Sequence, residues 1–493
     1  MSNPDIAIYG SSLFAATAAL PPPRAPLTVD ADVDVCVIGG GLAGLTVARE
    51  IARRGWSVIV LEASRIAWNA SSRNTGFVLP GFAQAPGRIV ERVGIEHARA
   101  LWALSKAGLD YVRQTIEEND IPVQASDGWL HVSKIDRAKT VQSEWALLRD
   151  LGAEVDILAT EQVRTLLKTP YYFQAIGYRD AFNIQPLNYA LMLAKLAEDA
   201  GARICENTPA LSIDPAGVRK RVATSQARVR AAHIVLAGNA HLGSVMPDIA
   251  QTILPVRTYV ITTKPLDPDK LAEAIAWRGS VSDTDWADNH YRVVEDRLVW
   301  SGRMATWNAD PWRFAKGLRR DIRRVFPQLG DVEIEYAWTG TLGNAVHRMP
   351  QIGEVTNAVW LASGFGGHGL NTTAMAGNMI ARAIVEGDTA WRLFLPFELI
   401  WAGGALGRTF AQIFYWTRRT QERLAARASR KAERERQHDV KKVARPVEKK
   451  NKPAAGDLRQ RVRDNRAEQA ARKRPQPRKP VRNGRPNGPS DKT

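Results

Sequence analysis

The run Asp32–Ile38 (DVDVCVI) constrains this chain more than any other feature, because it alternates and then turns continuously apolar. A strand buried in a parallel sheet reads this way. It leads straight into Gly39-Gly40-Gly41-Leu42-Ala43-Gly44, a GxGxxG. A helical pattern follows, with Leu45, Ala48 and Ala52 on one face and Gly55 as its stop. A second strand, Val58–Leu61, ends in Glu62. Gly39 permits the tight turn, Gly41 lets a pyrophosphate approach the backbone, and Gly44 lets helix and strand pack closely. The helix start at Leu42 and Ala43 offers free N–H groups and the positive end of a dipole. Glu62 can accept both hydroxyls of an adenosine ribose and would repel a 2′-phosphate, which argues against NADP. A glycine-rich turn alone is weak evidence, since a plain βαβ unit can contain one. Strand, helix and terminal acid together point to a dinucleotide site.

A second glycine-rich turn lies far downstream. Val359–Ser363 (VWLAS) reads as a strand and runs into Gly364-Phe365-Gly366-Gly367-His368-Gly369, then a helix from about Leu370 to Glu386 with Gly387 as its stop. Two cradles suit a long cofactor gripped at both ends. A reduced flavin gathers negative charge at N1 and the C2 carbonyl oxygen, which a helix N-terminus can stabilise, whereas nicotinamide makes no such demand. FAD is therefore the expected dinucleotide.

Taken in order, Ser12–Ala18 (SLFAATA), Asp34–Glu62, Arg65–Gly76 (RIAWNASSRNTG), Ile234–His241 (IVLAGNAH) and Trp338–Gly369, with WTG, RMPQIG and GFGGHG, resemble the FAD-dependent D-amino-acid-oxidase superfamily. Within it they are most similar to gamma-glutamylputrescine oxidoreductases and related amine oxidases. The resemblance spans about residues 11–415. It implies an α/β fold: a Rossmann-like FAD-binding domain with a discontinuous mixed α+β substrate domain. The expected segments are FAD-binding at 30–95, 180–243 and 336–395, substrate domain at 96–179 and 244–335, and a C-terminal helical region at 396–417. The flavin-side loop departs from the family's glycine-rich pattern at Asn69, Ser72 and Thr75, which would narrow the pocket.

The resemblance implies oxidation of a C–N bond, with a hydride passing to flavin N5 and the imine hydrolysing in water. The amine must react unprotonated, and a dry aromatic pocket favours that form. A gamma-glutamylputrescine-like amine is the favoured substrate; a D-amino-acid dehydrogenase or a sarcosine- or glycine-type oxidase is the alternative. Oxygen, a quinone or an electron-transfer partner can serve as acceptor. Expected cofactor contacts are Gly39, Gly41, Leu42, Ala43, Gly44, Glu62, Ala63, Ser71, Arg73, Asn74, Ala210, Ala237, Gly238, Gly364, Gly366, Gly367, His368, Gly369 and Leu370. His368 and Tyr259 are the candidate catalytic residues, each with a structural alternative: a backbone-bonded histidine and a core tyrosine. Tyr291 carries the same ambiguity. Arg73 can hold a carboxylate or phosphate or be an exposed loop arginine, and Lys264 reads as solvated. His347 and Arg348 read as shaping the turn before the last FAD segment. Trp277, Trp286, Trp300, Trp307 and Trp312 read mostly as core, with some available to wall an amine pocket. Covalent-flavin relatives carry a His after the loop Trp or a Cys before the last glycine turn. Asn69 stands at the first place and no Cys lies between Thr341 and Pro350, so noncovalent FAD is expected.

The chain's net charge of +17 sits at one end. From Arg418 onward there are 26 Lys+Arg and 9 Asp+Glu, leaving 42 of each sign in residues 1–417. Arg418–Gln437 can extend as an exposed helix, and the remainder of 418–493 reads as a disordered basic tail. Such a tail can contact nucleic acid or an anionic membrane, which leaves a reading of another class: a flavoprotein tethered to RNA or membrane. A merely solubilising tail is the bland alternative. Cys36 and Cys205, the two cysteines, have no metal-type spacing. From them a reducing compartment and no metal are expected. No basic n-region precedes Leu13–Leu20 and no uncharged apolar run reaches about 18 residues. No signal peptide and no spanning helix are therefore expected, with a cytoplasmic location, peripheral to the inner membrane face in the tethered reading.

Overall fold

The computed structural model describes residues 8–283, 289–450 and 455–471. Two sheets organise residues up to Arg430, which form one compact unit. The first sheet contains β1 (Ala31–Ile38), β2 (Val58–Leu61), β7 (Arg203–Cys205), β8 (Ser212–Asp214), β9 (Lys220–Ala223), β10 (Arg228–Leu236), β16 (Gln351–Thr356) and β17 (Val359–Ser363). Its main order is β16-β17-β10-β1-β2-β7, and the five strands from β17 to β7 run parallel. Their carboxyl ends therefore share one edge, the usual position for a ligand in an open α/β sheet.

The apolar run of β1 is buried on both faces, as its sequence requires. Val35 and Val37 face a core shared with α1 (Leu42–Arg53), while Cys36 and Ile38 face a second core with Ile234 and Leu236. Helices α2 (Ile95–Glu118) and α3 (Pro186–Asp199) add their apolar stripes to the first core.

The second sheet contains β3 (Phe77–Val78), β4 (Ser126–Val132), β5 (Val155–Leu158), β6 (Ala175–Asn183), β11 (Leu254–Thr263), β12 (Ser280–Asp283), β13 (His290–Val294), β14 (Arg297–Ala305) and β15 (Ile334–Asn344). The order is β15-β11-β14-β13-β12-β4-β6-β3, with β5 paired to β6. Trp129, Val260 and Val299 point to the core shared with the first sheet. Leu130, Tyr259, Ile261, Tyr291 and Trp300 point the other way, into a core closed by α4 (Pro311–Val325).

Helix α5 (Gly369–Glu386) follows β17 and ends on the left-handed Gly387, as the sequence predicts. Next comes α6 (Gly404–Lys450). The chain does not leave the body at Arg418: Arg419 and Ala426 are buried, and Arg430 lies over the Tyr171 ring. Arg419 donates to the Gly302 carbonyl and to Asp321, partners that lie far away in sequence. Residues 431–493 cluster as a unit of their own. Where the sequence suggests a disordered remainder past Gln437, helix continues to Lys450 and resumes in α7 (Ala455–Ala471), whose four Ala and four Arg are good helix formers. The rest of that stretch lies outside the described residues, as does Trp286.

Candidate active site

Both glycine-rich turns sit on the carboxyl edge of the first sheet. Gly39 has φ +113°, and a Cβ there would lie 2.8 Å from the Ala237 carbonyl. A Cβ on Gly44 would lie 2.0 Å from the Gly39 oxygen. These two contacts press the turn and the start of α1 against the ends of β1 and β10. Ala237 N–H donates to the Ile38 carbonyl at 2.8 Å, and Gly364 N–H donates to Asn239 Oδ1 at 3.1 Å. Asn239 follows Gly238, so the early and late turns are tied through the end of β10.

The starts of α1 and α5 have no side-chain cap. A Cβ on Gly41 would meet only Ser71 Oγ, and one on Gly367 or Gly369 would meet nothing within 4 Å. Ser71 Oγ accepts from Leu42 N–H at 3.1 Å, which sets the flavin-side loop over the first turn. Open backbone at two uncapped helix starts fits a diphosphate at one end and an electron-rich ring at the other.

Glu62 closes the cradle at the end of β2. Its carboxylate accepts from Gly40 N–H at 2.7 Å and Ser64 N–H at 2.8 Å. Burial raises its pKa, against the lowering by these backbone donors. Ala63 beside it is exposed, and Thr208 N–H donates to the Glu62 carbonyl, bringing the Ala210 segment alongside. Behind it lies a buried pair, Arg65 Nε to Glu206 Oε2 at 2.9 Å; Glu206 also accepts from Ile66 N–H at 2.8 Å.

The loop Arg65–Gly76 is held by its own side chains. Asn69 Oδ1 accepts from Thr341 N–H at 2.9 Å, and Asn69 Nδ2 lies 2.7 Å from His241 Nε2. Asn74 donates to the carbonyls of Ala70 and Ser71 and accepts from Gly76 N–H, so both ends of its amide shape the loop. Arg73 is not an exposed loop arginine. Its guanidinium donates to the Ile8 carbonyl at 2.5 Å and lies over Trp68, and burial, with Arg257 nearby, lowers its pKa.

At the start of α5, His368 is half-buried with Leu370 fully in the core, and His368 Nδ1 has no hydrogen-bond partner among the described residues. Burial, with Arg348, His290 and His131 adding positive charge, lowers its pKa to about 3, so the imidazole is neutral. The Trp129 ring meets it edge-on at 6.5 Å, and Trp129 also stacks on Tyr178 at 4.3 Å and on His131 at 5.5 Å. Trp129 Nε1 donates to Ser282 Oγ at 2.9 Å, and His290 Nδ1 lies 2.8 Å from the same oxygen. This wall of Trp129, His131, Ser282 and His290 is not apparent from separate stretches of sequence. The only local signal is the two-residue spacing of Trp129 and His131 and of His290 and Arg292, which sets each pair on one strand face. Arg292 is buried, donates to the Ile184 carbonyl at 2.7 Å and faces the Phe14 ring; burial lowers its pKa to about 9.

Tyr259 is not brought to this wall. It stacks on Phe314 of α4 at 3.8 Å, on the opposite sheet face from Val260. Tyr291 stacks on Trp300 at 4.2 Å on that same far face. Trp277 donates to the Ser280 carbonyl, and Trp307 and Trp312 are exposed; none of them joins Trp129 at this wall. Lys264 is exposed beside Glu333, and His347 bonds to the Glu398 carbonyl and Met349 N–H, shaping its turn. Arg348 next to it has φ +61°.

Comparison with known proteins follows this geometry. Residues 34–383 match the family model described as FAD dependent oxidoreductase. Over 389 residues the chain is 32% identical to gamma-glutamylputrescine oxidoreductase of Escherichia coli K12, covering 77% of this chain and 90% of that protein. It is 29% identical to the probable oxidoreductase OrdL of Haemophilus influenzae over 75% of this chain and 86% of that one. Among solved structures, L-proline dehydrogenase from P. horikoshii superposes with a TM-score of 0.64 at 19% identity, covering 75% of this chain and 100% of that one.

Proposed function

The chain belongs to the FAD dependent oxidoreductase family, and from that membership we propose that it oxidises the terminal amine of a gamma-glutamylputrescine-like substrate. The coarser statement needs no proposal: it is an FAD-dependent amine or amino-acid oxidoreductase. Bound FAD supplies the chemistry, taking a hydride from the carbon that bears the nitrogen, and the imine then hydrolyses in water. The protein's residues hold, orient and dry the reactants.

In this reading the start of α1 and Ser71 face the diphosphate, and Glu62 accepts the ribose hydroxyls. The backbone from Gly367 to Leu370 faces the ring's electron-rich side. FAD would be held without a covalent link, since Asn69, whose amide does not bond to a flavin, follows the loop Trp68 and both cysteines are buried in strands. Trp129, Tyr178 and Phe77 exclude water, which disfavours an ammonium and favours the free amine. Neutral His368 adds no positive charge, and its Nδ1 can form one hydrogen bond with the substrate nitrogen.

One observation carries the proposal: the unpartnered His368 Nδ1 at the start of α5, edge-on to Trp129. The choice of substrate leans on the Escherichia coli relative. Anaerobic titration with N-(gamma-glutamyl)putrescine, glycine, sarcosine and D-amino acids tests it. Bleaching of the flavin by the first compound in preference to the others is expected. Bleaching by glycine, sarcosine or D-amino acids alone would overturn the substrate assignment in favour of the amino-acid oxidase alternative.

A further inference from the structure

Helix α6 carries an apolar stripe that none of the described residues covers. Over residues 404–430 its inner face is set by Gln412, Tyr415, Arg419 and Ala426, all buried. Leu406, Phe410, Ile413 and Phe414 lie opposite, at helical spacing, with Leu406 80% and Phe410 72% exposed. The segment before the helix leaves Leu399, Ile400 and Trp401 exposed as well. A monomeric soluble surface seldom leaves so many large apolar side chains contiguous.

The charges around the stripe have one sign. Between Glu398 and Glu422 the sequence has no acidic residue, and of its three arginines Arg408 and Arg418 are exposed while Arg419 belongs to the buried inner face. Arg418 lies over the Phe414 ring at 5.9 Å, with its stem along the apolar surface. Beside the helix, between α4 and α6, is a cavity of about 380 Å³ lined by Arg303, Arg313, Lys316, Arg320, Arg324 and Arg423 among others. Asp321 is the one carboxylate among its lining residues. Arg303 and Arg324 lie 2.6 and 2.7 Å from that carboxylate, and Arg419 lies 3.1 Å away. Arg423 lies 3.7 Å from it as well, whereas Arg313, Lys316 and Arg320 have no ion pair among the described residues.

We propose that this face is a docking surface for an anionic phospholipid bilayer: the α6 stripe enters the interface and the α4–α6 cavity receives a lipid phosphate. An amphipathic helix flanked by arginine binds anionic lipid through buried apolar area together with charge attraction. Two other occupants fit less well. A second copy docking by two-fold symmetry would bring the same arginine-rich flanks together and repel. An RNA surface interleaves its aromatics with cations, whereas here Phe410 and Phe414 alternate with Leu406 and Ile413, which offer neither charge nor ring. No helix among the described residues is long and apolar enough to cross a membrane, so docking at the surface is the available mode.

The test uses the full-length, flavin-loaded protein with phosphatidylcholine vesicles, with and without phosphatidylglycerol, carrying brominated acyl chains. Tryptophan quenching in the anionic vesicles is expected, and Trp401→Phe should remove much of it. Leu406→Ser/Phe410→Ser/Ile413→Ser should weaken binding on the order of 1000-fold, about tenfold for each of the three large apolar side chains kept out of the interface. Lys316→Glu/Arg320→Glu should reduce the preference for phosphatidylglycerol to what the basic residues beyond 430 give alone. Amine turnover and flavin content should stay unchanged in every variant, since none touches the site. Unaltered vesicle binding and quenching in the triple serine variant would overturn the proposal and assign any attraction to the basic residues beyond 430. A dimer that the triple variant dissociates, or RNA binding that depends on the stripe while vesicles do not bind, would also overturn it.

Discussion

The neutrality of His368 has a consequence for folding that can be worked out from its surroundings. Burial, with Arg348, His290 and His131 adding to it, lowers the imidazole from an ordinary 6.5 to about 3. Below pH 6.5 the unfolded chain binds a proton that the folded protein does not. Stability from this site is therefore complete above pH 6.5 and declines as pH falls from there toward 3. One proton costs about 1.4 kcal/mol per pH unit, so moving from neutral pH to roughly pH 5 removes about 2 kcal/mol. His368→Asn removes that linkage. Burial also lowers His233, His241 and His347, which contribute equally to both proteins and cancel in the comparison. Urea unfolding of the flavin-loaded wild type and variant at roughly pH 7.5 and pH 5 measures the difference. The variant should lose about 2 kcal/mol less than wild type between the two conditions. Parallel losses would refute the reasoning, because they would mean that His368 protonates as easily folded as unfolded.

Other expectations follow from the same geometry. Glu62→Gln keeps the shape but removes the charged acceptor, so FAD should dissociate about 10- to 100-fold more readily, read by flavin content after gel filtration. Tyr259→Phe should leave kcat/KM within about twofold, because the ring faces α4, whereas Trp129→Ala should lower it at least about tenfold by opening the site to water; a reversed order would show that the two sheet faces are assigned wrongly. Arg65→Met leaves the buried Glu206 carboxylate with only the Arg24 guanidinium, at 3.9 Å, as counter-charge and should cost about 3 kcal/mol in urea unfolding at neutral pH.

How far this site could be read from sequence depended on how local each part is. The first cradle is one strand, one turn and one helix in succession, and Gly39, Gly44 and Glu62 stand where that pattern places them. The last turn is equally local, down to the left-handed Gly387 that stops α5. The site wall is different in kind. Trp129 meets His290 through Ser282 only because β4 pairs with β12, and no periodicity in either stretch announces that pairing. Tyr259 could not be assigned a face either, because the ladder between β11 and β14 shifts register between Tyr259 and Val260. Arg73 and Arg419 look solvated in sequence. Arg73 is half-buried and Arg419 buried, held by carbonyl and carboxylate partners from remote segments, a placement that composition does not encode.

The central claim is that two uncapped helix starts on one sheet edge hold FAD for oxidation of an amine carbon. The most direct test is the visible spectrum of the purified protein during anaerobic addition of N-(gamma-glutamyl)putrescine. The account predicts a flavin spectrum from the start and its loss as the amine is added. A colourless protein that stays colourless when FAD is supplied would contradict it.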